Sequence, residues 1–175
     1  MRDDPIDDSL DRAARQVERL HHASAYHEAG HAIVARSCPG VTVDAVYVPY
    51  LDDGHTSVVQ GSVSPSILLS NGVRIALAGK MAQERAGFGD IVTKSDATDR
   101  KYIEGLAGEH GSTQEELEKQ HRPWVAAALD ARWKAVDALA RALLVHSALT
   151  GPEVDAVVRG HDMDRDHQVP RPTDR

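Results

Sequence analysis

The chain has 175 residues, of which 41% are hydrophobic and only 4% aromatic, and its formal net charge at pH 7 is -7. This length and composition are typical of one globular domain with an aliphatic core, and they exclude a largely disordered chain. The acidic balance argues against non-specific nucleic-acid binding, which requires a basic face.

Cysteine content and hydropathy bear on where the protein works. The one cysteine, Cys38, cannot form an internal disulfide, and this favours a reducing compartment. The first residues are acidic and lack the apolar segment of a signal peptide. No window has the length and hydropathy of a membrane-spanning helix. We therefore expect a cytoplasmic protein that binds neither nucleic acid nor a membrane.

The first third of the chain is predicted to pass from helix to strand. Residues 1–8 are rich in aspartate and are predicted to be a disordered lead-in, and a helix is predicted to begin near Ser9. A second helical segment covers residues 24–37 and ends at a Pro-Gly pair, and the two segments are also compatible with one bent helix. Alternating β-branched residues over 41–50 and a returning run over 56–60 predict a hairpin.

The rest of the chain is predicted to be helical. A helix is predicted over 64–85, with an optional break at Asn71-Gly72, and another over 95–110. A capping box from Ser112 to Glu115 begins a segment that Pro123 interrupts or restarts, and an amphipathic helix is predicted over 124–146. A capping box at Thr150 and Glu153 opens a last, short helix. Residues 161–175 are predicted to be a disordered tail. The predicted fold is α+β and mostly α-helical, with one domain over 9–160, a small β-hairpin and a C-terminal helical bundle.

One motif indicates catalytic chemistry. His27 and His31 are four residues apart in a predicted helix, so both imidazoles lie on one face and can reach one metal ion. Glu28 flanks that ion without binding it and can take a proton from a metal-activated water. Imidazole pairs of this kind suit Zn²⁺, so the pattern predicts a zinc hydrolase. The alternative is a coincidental HExxH sequence on an ordinary helix.

The third protein ligand of such a zinc ion must come from another segment. A catalytic zinc usually has three protein ligands, and Ser37 stands where the extended form of the motif has a histidine. Asp96 and Asp99 open a later predicted helix, and a helix N-terminus favours carboxylates. Simple helix capping explains this pair equally well.

The segment from Ala25 to Val34 resembles, almost residue for residue, the zinc motif of the FtsH-type ATP-dependent proteases. The resemblance covers about residues 22–160. Val43 to Pro49 with Gly54-His55-Thr56 is similar to the family's strand pair after the motif, and residues 76–85 are similar to its Leu-Gly-Gly-Arg-x-Ala-Glu-Glu segment. Residues 92–107 are similar to the stretch that supplies an aspartate ligand in the family. Residues 139–158 are similar to its closing helices.

The resemblance implies a role for each matching residue. It makes His27, His31 and Asp99 the zinc ligands and Glu28 the catalytic base, on a zincin-like helix. Asp96, one helical turn before Asp99, is the alternative third ligand if the register shifts slightly. One departure is that Gln83-Glu84 matches the family's Glu-Glu pair only loosely.

The resemblance also implies a function, namely a zinc-dependent peptidase that cleaves peptides or unfolded proteins. The family's proteins carry membrane segments and an ATPase module, whereas this sequence contains no G-x-x-x-x-G-K-[ST] phosphate loop. Any unfolding of the substrate would therefore come from a separate ATPase or be absent, and a homo-oligomer is compatible with this scheme. The alternative function is a catalytically weak or inactive zinc-binding module for protein interaction or regulation.

Overall fold

The computed structural model describes residues 5–48 and 54–161. The elements are α1 (Pro5–Ala35), β1 (Val41–Tyr47), β2 (His55–Gln60), α2 (Pro65–Gln83) with a π-helical turn (Glu84–Phe88) at its end, α3 (Lys94–Glu109), α4 (Gln114–Ala131), α5 (Trp133–His146), β3 (Ala148–Thr150) and α6 (Gly151–His161). A mostly helical α+β fold with a small antiparallel sheet is thus confirmed. No helix in the described ranges is long and apolar enough to cross a membrane.

Helix α1 is a single element of 31 residues, where the sequence left two segments or one bent helix open. It begins at Pro5, so residues 5–8 of the predicted disordered lead-in are helical, and residues 1–4 lie outside the described part. Its second half, residues 23–35, is buried apart from the half-buried Tyr26. Small residues such as Ala25, Ala29 and Ala32 permit this burial because they let neighbouring helices approach closely.

The sheet has the order β2-β1-β3 and is antiparallel throughout. The predicted hairpin of β1 and β2 is present, with an irregularity between Val43 and Ala45, while residues 49–53 of the predicted strand and turn lie outside the described part. Strand β3 was not predicted because three residues carry no periodic signal. Gly151 follows it, and a Cβ there would lie 2.3 Å from the Val43 carbonyl oxygen, so this close approach to β1 requires glycine.

The structure decides one open alternative and corrects some predicted helix boundaries. Helix α2 runs through Asn71-Gly72 without a break. Helix α3 begins at Lys94 after the N-cap Thr93, and α4 is capped by Thr113 with Glu116, one residue later than predicted. Helix α4 also continues through Pro123, and the predicted helix over 124–146 is divided at Arg132 between α4 and α5. The hydrophobic stripe continues across that division, so the pattern alone could not reveal it.

The core lies around the second half of α1. This half packs against α2 and α5, and α2 also packs against α3 and α4. Strand β1 also contacts α1, and it carries buried Val46 near its end, with buried Val48 one residue beyond it. The predicted motif helix is therefore the central element of the domain, and its buried half is covered by α2 and α5 from later in the chain.

Candidate metal centre

His27 and His31 lie one turn apart on the buried half of α1. The two residues are 0% and 6% exposed, and their rings meet edge to face with centroids 4.6 Å apart. One nitrogen from each ring and one oxygen of Glu28 lie within 4.8 Å of one another. The i, i+4 spacing thus has the geometric consequence predicted from it.

Asp99 from α3 contacts both imidazoles. Its Oδ2 atom lies 2.9 Å from Nε2 of His27 and 3.2 Å from Nε2 of His31. The three atoms therefore converge on one small volume between α1 and α3. Asp96 is placed differently, because its Oδ1 atom lies 3.3 Å from Nδ1 of His27, the ring nitrogen on the opposite side.

The other nitrogen of each imidazole faces a fixed acceptor. Nδ1 of His31 lies 2.6 Å from the carbonyl oxygen of Ile75, and Nδ1 of His27 lies 3.3 Å from Oε1 of Gln83. A carbonyl oxygen cannot donate a hydrogen bond, so each Nδ1 carries the hydrogen and each Nε2 is directed towards Asp99. Nε2 is therefore the nitrogen left to bind a metal in place of its proton, and each ring is held by the kind of outer partner that metal-binding histidines have.

The charges around the imidazoles favour a cation. Burial lowers the pKa of His27, but hydrogen bonds to Asp96 and Asp99 and the charge of Glu28 outweigh burial and raise it to about 10. The pKa of His31 is likewise raised, because Asp99 outweighs the effect of burial. Burial raises the pKa of Asp99, yet the two imidazoles lower it to about 2. Three carboxylates thus surround two imidazoles and stabilise positive charge between them.

The donor set fits a catalytic zinc ion. Two imidazole nitrogens and one carboxylate oxygen form a ligand set that catalytic zinc uses, and this set leaves a position free for water or substrate. Helix α2 comes close to the imidazoles only because residue 79 is glycine. A Cβ at Gly79 would lie 2.4 Å from Nε2 of His27 and 2.6 Å from Cε1 of His31, in the space beside the metal-facing edges of the rings.

Glu28 is 2% exposed and lies beside this volume with both carboxylate oxygens near hydroxyl groups. Oγ1 of Thr56, on β2, lies 2.8 Å from Oε2, and Oγ of Ser95, on α3, lies 3.4 Å from Oε1. Gly54 leaves room for this side chain, since a Cβ there would lie 2.4 Å from Cγ of Glu28. Two elements distant in sequence therefore hold the carboxylate in one orientation.

A cavity of about 500 Å³ is lined by Glu28 and by two of the three candidate ligands, His31 and Asp99. Its volume is typical of a small-ligand or peptide side-chain site. Its lining combines the polar side chains of Glu28, His31 and Asp99 with the larger apolar or aromatic side chains of Val58, Ile75 and Tyr102. Exposed His55 also lines it, at the start of β2.

The sequence predictions missed four residues that shape the site, namely Thr56, Gly79, Gln83 and Ser95. Gln83 had a signal, since it departs from the glutamate of the family segment. Thr56 and Gly79 lie within segments that carry the family resemblance, but nothing in the pattern distinguishes contact with Glu28 or the imidazoles from ordinary strand and helix packing. Ser95 stands one residue before Asp96 and has no signal of its own.

Two comparisons with known proteins found no relative of this chain. No protein-family model matches the chain, and no curated protein matches it at a significant level.

Proposed function

We propose that this protein is a zinc-dependent peptidase of the FtsH-like type, with His27, His31 and Asp99 as zinc ligands and Glu28 as general base. The observation that carries the proposal is the convergence of both Nε2 atoms on Oδ2 of Asp99, with Glu28 beside them. Burying two imidazoles and a carboxylate together costs free energy, so a coincidental motif on an ordinary helix is not expected to meet a carboxylate from a segment about 70 residues away.

Each of the chain's own groups has a chemical role in this proposal. A bound Zn²⁺ supplies Lewis acidity, which lowers the pKa of water and polarises a peptide carbonyl. Glu28 accepts the proton of the water that attacks the carbonyl carbon, and then donates it to the leaving nitrogen as the peptide bond breaks. Thr56 and Ser95 orient the Glu28 carboxylate towards that water through their hydroxyl groups.

The substrate that fits the site is an extended peptide or an unfolded protein segment. The cavity beside the ligands has apolar lining residues that can accept a side chain of the substrate.

The proposal is tested by comparing the wild type with Glu28→Gln. Glu28→Gln keeps the size of the side chain but cannot accept a proton, so we expect cleavage of unfolded casein to fall by about 10²- to 10⁴-fold. Bound zinc, measured by elemental analysis, should remain at one ion per chain. Glu18→Gln, the same change on the exposed half of α1, is the matched control and should leave both quantities unchanged.

Two results would contradict the proposal in different ways. A wild type that binds no zinc would overturn the metal centre itself. A wild type that binds one zinc ion, yet cleaves no faster than Glu28→Gln, would replace the peptidase with a zinc-binding module for protein interaction or regulation.

A further inference from the structure

The Nδ1 edge of His27 faces two oxygen atoms, although this nitrogen carries one hydrogen. Oε1 of Gln83 lies 3.3 Å away, and Oδ1 of Asp96 also lies 3.3 Å away. Gln83 belongs to α2 and Asp96 to the first turn of α3, so the two acceptors reach His27 from different helices. The two oxygens differ in charge, and this difference decides what each can contribute.

Gln83 is committed to an amide by its other contacts. Its Nε2 donates to the carbonyl oxygen of Phe88 at 2.9 Å and to that of Ile91 at 2.6 Å, and the residue is 0% exposed. A glutamate here would place a carboxylate oxygen against two carbonyl oxygens and remove the hydrogen bond that Gln83 donates to each of them. Position 83 can therefore fix the orientation of His27 but cannot supply a negative charge, although the family segment has a glutamate there.

The two carboxylate oxygens of Asp96 differ, because Oδ2 accepts well-aligned hydrogen bonds from described residues and Oδ1 does not. Its Oδ2 accepts from the backbone nitrogen of Thr93 at 3.2 Å and from Nζ of Lys80 at 3.3 Å. Its Oδ1 is buried, and no described residue donates a well-aligned hydrogen bond to it. Nδ1 of His27 is the donor 3.3 Å from that oxygen. A buried carboxylate oxygen without a donor is unfavourable, so this arrangement favours transfer of the Nδ1 hydrogen bond to Asp96.

We propose that Asp96 is a positioning residue of the metal centre, whose Oδ1 accepts the Nδ1 hydrogen of His27 and supplies the carboxylate that position 83 cannot. This inference rests on the proposed zinc site. In this role Asp96 acts through His27 and does not touch the ion, because it lies on the side of the imidazole opposite Nε2 and Asp99.

The consequence is a more basic zinc ligand. A carboxylate that accepts the Nδ1 hydrogen increases electron density on the ring and so strengthens the bond that Nε2 makes to a metal. Lys80 holds the other oxygen of Asp96 and also donates to the carbonyls of Gly89 and Ile91, so it fixes the carboxylate against the segment before α3. His27 would then be supported by a carboxylate and His31 by a neutral carbonyl.

The test measures zinc affinity by chelator competition in the full chain. Asp96→Asn keeps the shape of the side chain and removes its charge, and we expect zinc to bind about 10- to 100-fold more weakly. We also expect the Nδ1 proton resonance of His27 in the zinc-loaded protein to move upfield, because an amide is a weaker acceptor than a carboxylate. Asp99→Asn, which removes a ligand, should weaken binding far more.

Two control variants separate positioning from other effects of the change. Thr93→Ala removes the other half of the same α3 capping box, and Asp90→Asn removes a neighbouring exposed carboxylate that pairs with Arg19. We expect both to bind zinc within about threefold of the wild type, which is less than the loss typical of an outer-shell partner. Thermal unfolding of each zinc-free variant checks that the domain is folded.

Four results would overturn the inference. If Asp96→Asn binds zinc as tightly as the wild type, the carboxylate does not support His27. If Thr93→Ala loses as much zinc affinity as Asp96→Asn, the effect belongs to helix capping. An unmoved Nδ1 resonance would exclude the hydrogen bond. A loss as large as that of Asp99→Asn would make Asp96 a ligand. In all four cases a zinc-binding, active wild type leaves the proposed peptidase intact, whereas a wild type that binds no zinc overturns both.

Discussion

The two halves of α1 have opposite surroundings although they form one continuous helix. Residues 9–20 are exposed apart from the half-buried Val17, and Leu10 in this half is 63% exposed. Residues 23–35 are buried apart from the half-buried Tyr26, and this half carries His27, Glu28 and His31. The helix thus extends from solvent into the centre of the domain, where it is covered by α2 and α5.

The difference follows the composition of the two halves. The exposed half has only a few aliphatic side chains at helical spacing, including Leu10, Val17 and Leu20, and they stand among charged and polar residues. The buried half is rich in alanine and contains Gly30, so neighbouring helices can approach its backbone on several sides. Because the helices approach this half of α1 closely, groups of α2 and α3 lie within hydrogen-bonding distance of the imidazoles. Substitutions should therefore have large effects in and around the buried half and small effects in the exposed half.

The largest effect is expected at Gly30, where α1 and α2 touch. A Cβ there would lie 2.6 Å from the carbonyl oxygen of Ala78 and 2.6 Å from Cβ of Ala82, so Gly30→Ala must force the helices apart. We expect the free energy of unfolding in urea to fall by about 3 kcal/mol. Gly105→Ala is the matched control, because an added Cβ at Gly105 meets nothing. It should stabilise the protein by about 0.5–1 kcal/mol, the usual helix-propensity gain. Equal effects would contradict the close packing of this half.

The next effect is on metal binding. Gly79→Ala places a methyl group 2.4 Å from Nε2 of His27, so the ring must move or the approach to its metal-facing edge is blocked. We expect zinc affinity, measured by chelator competition, to fall by about 100-fold, the upper end for a change next to a ligand. Gly108→Ala, at an open position of α3, should leave it unchanged. Wild-type affinity in Gly79→Ala would place the metal elsewhere.

A buried histidine on α4 should make stability depend on pH. His121 is 4% exposed, and burial, helped by the charge of Arg74, lowers its pKa to about 4. A lowered histidine pKa gives stability that is present above the unfolded value of 6.5 and is lost as pH falls towards 4. Between pH 7 and pH 4.5 we expect the wild type to lose about 2 kcal/mol more than His121→Gln, measured by urea unfolding with chelator present. Parallel losses would show that His121 is already hydrated in the folded protein.

The smallest effect is expected in the exposed half of α1. Arg19 forms a bidentate pair with Asp90, but the side chains are 47% and 62% exposed. Solvent screens such a pair, so Arg19→Ala should lower the free energy of unfolding by less than about 1 kcal/mol. Urea titrations in low and high salt measure this loss and its screening. A loss as large as that of Gly30→Ala would show that both halves of the helix are packed alike.

Local signals in the sequence were enough to predict most elements of the fold. The β-branched alternation predicted the hairpin, and proline, glycine and capping boxes predicted most helix ends to within a few residues, because these signals depend on backbone geometry of neighbouring residues. The division of α4 from α5 at Arg132 and the three-residue strand β3 were not predictable, since both depend on contacts with distant segments.

For the candidate site, the sequence by itself determined that His27 and His31 share a helix face with Glu28 beside them, because this follows from the pitch of a helix. Only the tertiary structure decided which groups meet them. It set Asp99 against both Nε2 atoms and Asp96 against Nδ1, and it brought Gln83, Thr56 and Ser95 to the same place. Asp96 and Asp99 are nearly equivalent in a sequence pattern, since they lie three residues apart on one helix. The position of α3 distinguishes them, and that position is set by the packing of α3 against α2 and α4.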